Sequence, residues 1–249
     1  MRTFLFLLLS FTASAQVALP PEQFLFLENG TLKVGVDRAK GAAITWISSK
    51  SSPKNIVNSY DPGRLIQQSY YAGRKLDRRK DGQHKAWSPW TWNPIQGGGV
   101  GSWAQVLSLE KKDGLIFSET IPKLWDMTDE NAEATMRQWT GFEKGMPNVL
   151  VVRCQLVCTR HQEDRWGPAV DRPQEVPACY FTRNFDSFKS YQGNGKWQTH
   201  KQEPGPPWGA IRKNVPTSFA CFEKNGQGAA VFCPYAKSCL LYTSPSPRD

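Results

Sequence analysis

Helical periodicity is almost absent from this chain: only Asp126 to Glu133 carries a helix-like pattern, and it is short. Alternating strand–helix units are therefore excluded. Long apolar runs are also scarce, and after residue 15 no stretch approaches the ~18 residues that a membrane helix needs. Membrane insertion is not expected. The three histidines, His84, His161 and His200, lie in polar stretches without metal-ligand spacing, and none of the six cysteines forms a Cys-x-x-Cys pair. No Gly-x-Ser-x-Gly elbow supports serine hydrolase chemistry. Gly97-Gly98-Gly99 lacks the Lys-Ser/Thr that follows a phosphate loop. Neither a metal nor another cofactor is expected.

Basic residue, apolar run and small-residue site follow one another at the start, as Arg2, Phe4 to Phe11 and Ala13-Ser14-Ala15. Residues 1–15 therefore read as a secretory signal peptide, with the mature chain starting near Gln16 and destined for secretion, the periplasm or the cell surface. Its removal lowers the formal charge from +9 to +8, because Arg2 is the segment's one charged side chain. At the other end, residues 239–249 share no composition or periodicity with what precedes them and read as a non-native tail of the kind translated from a sequencing adapter. Residues 16–238 are left as a single domain, incomplete at its C-terminal side.

Short apolar or alternating runs closed by turn residues fill that domain, among them Leu32 to Val36, Ala42 to Ile47, Leu65 to Tyr70, Leu115 to Ile121 and Asn148 to Cys158. Asn29-Gly30, Asp113-Gly114 and Asn225-Gly226 sit between runs where hairpins need them. An all-β antiparallel β-sandwich or super-sandwich is expected. Cys221 and Cys233 flank the last of these turns and are candidates to face each other across a hairpin, although connectivity is not readable from sequence. Asn29-Gly30-Thr31 matches a glycosylation acceptor, a pattern common by chance.

Four of the ten tryptophans, Trp87, Trp90, Trp92 and Trp103, fall in one loop-like region. A pyranose offers an apolar C–H face that stacks on such rings and a rim of hydroxyls that amides and guanidinium groups read. Trp90 and Trp92, two apart, would share a face of extended chain, with Pro89 and Pro94 stiffening it. Asn93 and Gln96 supply amides, and the glycine run lets a ligand or another backbone approach closely. Upstream, Arg64, Gln67 and Tyr71 would line the same site; the competing reading has Asp61 capping a turn and pairing with Arg64.

A second aromatic group runs from Tyr180 through Tyr191 and Trp197 to Trp208, and Glu175 stands before it. Glu175 is the candidate acid or base, with Asp61 or Asp164 as a partner carboxylate should the chemistry be glycosidic. The basic cluster Arg74 to Lys80 is either a solvated loop or the contact for an acidic polymer, for which an anionic polysaccharide suits an exported protein better than nucleic acid.

The succession Leu27 to Val34, Lys40 to Ile47, Asn55 to Asn58 and Asp61 to Tyr71 resembles the N-terminal half of the galactose mutarotase-like super-sandwich. The layout extends over residues 24–235, with specific motifs confined to 27–101. That resemblance implies carbohydrate as the ligand class and makes Arg64 similar to the sugar-contacting arginine of the epimerases. No histidine here matches the epimerases' general acid, so mutarotase activity is not expected. The resulting expectation is a carbohydrate-recognising protein acting through Arg64, Gln67, Tyr71, Trp90, Trp92, Asn93, Gln96 and Trp208. A glycan-cleaving lyase or hydrolase using Glu175, and a ligand-free structural protein of the cell surface, are the alternatives.

Overall fold

A computed structural model of the chain describes residues 23–170, 172, 174–201, 218–223 and 226–232, the strand 218–223 by its backbone alone. The expected signal peptide, the expected tail, Trp208, Asn225 and Cys233 lie outside the described residues.

The fold is all-β with antiparallel sheets, as the alternation required. Among the described residues the helical elements are three single turns of 3-10 helix. Phe24–Glu28, Leu32–Asp37 and Ala43–Ser49 form a meander whose first turn is closed by Asn29: its side-chain oxygen accepts from the backbone N–H groups of Thr31 and Leu32 at 3.0 and 2.9 Å. Such Asx geometry is the local reason Asn-Gly reverses the chain here. Gln105–Lys112 and Leu115–Ile121 are joined at Asp113-Gly114, where φ is 49° and 75°, the double left-handed conformation of a type I′ turn. Ala134–Phe142 and Leu150–Cys158 complete that four-stranded sheet.

A further hairpin, Phe185–Gly193 with Lys196–His200, turns on Asn194-Gly195. It belongs to a third sheet with Ser218–Glu223 and Gly228–Phe232, in which Cys221 stands opposite Ala229.

All three sheets contribute to one apolar core: Val34, Val36, Ile44 and Ile66 from the first, Leu109 and Ile116 from the second, Phe185 and Phe188 from the third. Each such side chain contributes roughly 2 kcal/mol through removal from water. A smaller core of Trp92, Leu124, Met127, Ala132, Ala134 and Trp166 lies under the tryptophan-rich region.

Asp126 to Glu133 is not a helix. Burial of Asp126 and Met127 and the backbone bonds from Leu124 to Glu130 and from Ala132 to Pro122 fold this segment back on the strand Lys123–Leu124. Tertiary hydrogen bonds replace those of a helical turn.

The centre of the first sheet is Ile66–Ser69, flanked by Ala43–Ser49 and Pro94–Ile95 on one edge and by Glu175–Cys179 on the other. All four of its residues are buried. Behind it, Gly97 to Gly99 serve the approach of backbone to backbone: a Cβ on Gly98, whose φ is 141°, would lie 2.2 Å from the Ser102 carbonyl oxygen, and one on Gly99 2.5 Å from that of Leu124. Gly98→Ala should therefore destabilise the protein by roughly 3 kcal/mol, from steric overlap and a backbone conformation closed to alanine. Urea unfolding of the purified variant measures it; a midpoint within error of wild type would contradict this packing.

Candidate functional site

The turn entering the central strand is held by Asp61. Its Oδ1 accepts from the N–H groups of Gly63 and Arg64 at 3.0 and 3.1 Å, and its Oδ2 pairs with the Arg64 guanidinium. Arg64 also lies 5.3 Å from the centre of the Tyr60 ring, and Tyr60 is 67 % exposed. Capping and pairing are both present, and the arginine still reaches the surface beside an exposed ring. The next residue, Leu65, has φ of 100° although fully buried. A side chain at such a φ costs on the order of 1–3 kcal/mol, held in place here by backbone bonds with Asn58 and Tyr180.

The amides meant to read hydroxyls face inward instead. Gln67, 1 % exposed, donates to the carbonyls of Pro62 and Arg64, both at 2.7 Å, and accepts from the Gly97 N–H at 2.6 Å. Gln96, fully buried, donates to Ala42 O at 3.1 Å and accepts from Gln68 N at 3.2 Å. Asn93, also fully buried, donates to Tyr70 O at 2.7 Å and accepts from the Trp90 indole at 3.2 Å. These three residues stitch irregular backbone to the central strand and have no surface to offer a ligand. Trp92 needs the same correction: it is 2 % exposed in the smaller core, its indole donates to Glu133 at 3.3 Å, and Arg160 lies over its ring at 5.2 Å.

What remains toward solvent is Tyr71 and Trp90 from the expected site, joined by Trp87 and by Trp125. Tyr71 and Trp90 meet edge to face at 6.3 Å, Trp90 and Trp87 at 5.2 Å, and Trp87 and Trp125 at 5.4 Å. All four are half-buried. Strand Trp90–Trp92 pairs with Ala72–Leu76 and fixes Trp90 opposite Leu76, while the single turn Lys85–Trp87 brings up Trp87. Trp125 drew no attention in the sequence because it stands alone there. Gly63 ties it to the arginine turn: a Cβ at that position would sit 2.5 Å from the Trp125 ring.

Glu175 lies at the other end of this row. It stands opposite Ser69 in the sheet, is 8 % exposed, and interacts with the Tyr71 hydroxyl. Burial pushes its carboxyl up to about 7, against the pull of the tyrosine hydrogen bond. The same burial and the neighbouring carboxyl hold the Tyr71 phenol well above its ordinary range. Gln174 fixes the pair from behind, accepting from Tyr71 N at 2.6 Å and donating to Tyr71 O at 2.8 Å. The contacts thus run from Glu175 through Tyr71, Trp90, Trp87 and Trp125 to the Arg64 turn.

The proposed partner carboxylates are occupied elsewhere. Asp164 is bound twice by Arg160 at 2.8 Å, which with the Trp166 N–H holds it below the usual carboxylate range, and Asp61 belongs to Arg64. A second buried carboxyl, Asp126, accepts from Gln83 at 2.6 Å and is raised by desolvation, a feature the sequence did not signal. His84 and His161 each accept from a backbone N–H two residues on, and His200 bonds Ser190 at 2.6 Å. Among the described residues no three His, Cys, Asp or Glu side chains gather as metal ligands.

No family model matches this chain, and no curated protein or solved structure matches it.

Proposed function

We propose that this protein recognises carbohydrate through the surface formed by Tyr71, Trp87, Trp90 and Trp125, with Arg64 and Tyr60 at one end. The observation that carries this reading is the contiguous row of four large rings, each keeping part of its surface in water. Aromatic faces and edges presented in this way suit the C–H face of a sugar ring, and a guanidinium beside them suits its hydroxyls. The resemblance to the galactose mutarotase-like super-sandwich supports the same ligand class, and the N-terminal pattern supports export; a mature protein beginning near Gln16 in N-terminal sequencing tests the latter.

Glycan-array binding with Trp90→Ala is the direct test. Loss of one stacked ring should weaken binding by roughly 10-fold. Trp103→Ala provides the control, because Trp103 is exposed apart from that row, beside Lys40. Equal affinity of the Trp90 and Trp103 variants would remove the basis of the proposal.

The buried Glu175–Tyr71 pair favours a second reading, in which the bound glycan is also cleaved. A carboxyl that burial raises to about 7 is poised between its two protonation states near neutrality and is suited to proton transfer. Glu175→Gln would then abolish product release and leave glycan binding intact.

A further inference from the structure

Residues 72–87 carry six cations and two acids. Both acids are already matched. Asp77 is chelated by Arg79, with nitrogen–oxygen distances of 2.9 and 2.5 Å, and also accepts from Ser88, so that its carboxyl is held far below the usual range. Asp81 lies 3.6 Å from Arg78, which turns its guanidinium inward onto Glu130 at 2.6 Å. Four cations remain, Arg74, Lys75, Lys80 and Lys85. All four are exposed, and among the described residues none has a carboxylate within ion-pairing distance.

Their place in the fold is specific. Arg74 and Lys75 lie on the strand Ala72–Leu76, whose Leu76 is the register partner of Trp90. Lys85 opens the single turn that ends in Trp87. The two rings at the middle of the aromatic row are thus bordered by unmatched positive charge along both supporting segments. Arg74 is also pre-positioned: its Nε donates to the Arg165 carbonyl at 2.6 Å and its backbone N–H to that of Trp166 at 2.9 Å, so its stem is fixed while its terminal nitrogens are left for a ligand. A carboxylate suits that fork, since guanidinium binds it through two parallel hydrogen bonds.

From this juxtaposition we infer that the ligand of the aromatic row is an anionic glycan, a polymer of uronic acid residues, whose carboxylates meet Arg74, Lys75, Lys80 and Lys85 while its rings pack on Trp87 and Trp90. The inference rests on the carbohydrate reading and adds the charge of the ligand to it. Charge repeated along the polymer would meet several of these cations at once, so attraction is cumulative and screened by salt.

The test is calorimetric titration of the full chain with polygalacturonate, alginate, an uncharged galactan and a single-stranded DNA homopolymer. At low salt the uronates should bind at least about 10-fold more tightly than the galactan, an advantage that shrinks at about 0.5 M salt. The double variant Arg74→Ala/Lys75→Ala should lose most of that advantage, with galactan binding unchanged. Galactan bound as tightly as the uronates, or a uronate preference surviving in the double variant, overturns this inference and leaves the carbohydrate reading standing. Tighter binding of DNA than of either uronate overturns it in favour of a nucleic acid ligand. Binding of none of the four polymers removes both.

Discussion

Glu175→Gln should make the protein more stable, by about 3 kcal/mol, once the pH is well above 7. In the unfolded chain this carboxyl ionises near its ordinary 4.5; in the fold burial raises it to about 7. Below the lower value both states hold the proton and the residue makes stability neither rise nor fall with pH. Between the two values the folded protein keeps a proton that the unfolded chain has released, so stability falls as pH rises, at about 1.4 kcal/mol per pH unit. Above the upper value the carboxylate is charged in both states and the full penalty of its burial is in place. Glutamine keeps an oxygen to accept from Tyr71 and has no charge to desolvate. Urea denaturation of wild type and variant from about pH 4 to about pH 9 should show curves that coincide at the acid end and diverge toward neutrality. A difference that does not change with pH would mean that Glu175 titrates alike in the folded and the unfolded chain.

Gln67→Ala should cost about 4 kcal/mol while leaving glycan affinity per folded molecule unchanged. The substitution removes two donated hydrogen bonds and one accepted one, so that the carbonyls of Pro62 and Arg64 and the N–H of Gly97 lose a partner in the interior. Unmet backbone groups of this kind cost more than the hydrogen bonds themselves are worth, since water cannot reach them. Gln96→Ala should behave in the same way at smaller magnitude, with two bonds lost. A ligand-contacting glutamine would show the opposite pattern, lost affinity with stability retained. Measuring the urea midpoint and the affinity of the folded fraction in the same preparations separates the two.

These amides illustrate how far residue chemistry leads without coordinates. Arg-x-x-Gln and Trp-Asn-Pro-x-Gln look alike whether their side chains line a sugar site or brace a bend, because hydrogen bonds to hydroxyls and to peptide groups use the same donors and acceptors. Trp92 is ambiguous for a related reason: alternation places it with Trp90, yet the fold seats Trp166 and Leu124 around it and leaves Trp90 half in water. Trp125 was invisible because its partner Trp87 is distant in sequence and nothing local connects them.

By itself the sequence determined the strands, their alternation and several of their turns. Apolar period, Asn-Gly and Asp-Gly act over a few residues, so Leu115–Ile121 and the Asp113-Gly114 turn form where local preference puts them. Tertiary structure alone decided which polar groups are inside and which rings are outside. Gln174 clasps Tyr71 from 103 residues away, Glu175 faces Ser69 across the sheet, and the carboxyl that the sequence offered as an acid or base becomes a buried one at the end of an aromatic row. Burial depends on which strand lies alongside, and that pairing is settled by packing across the whole chain rather than by neighbours along it.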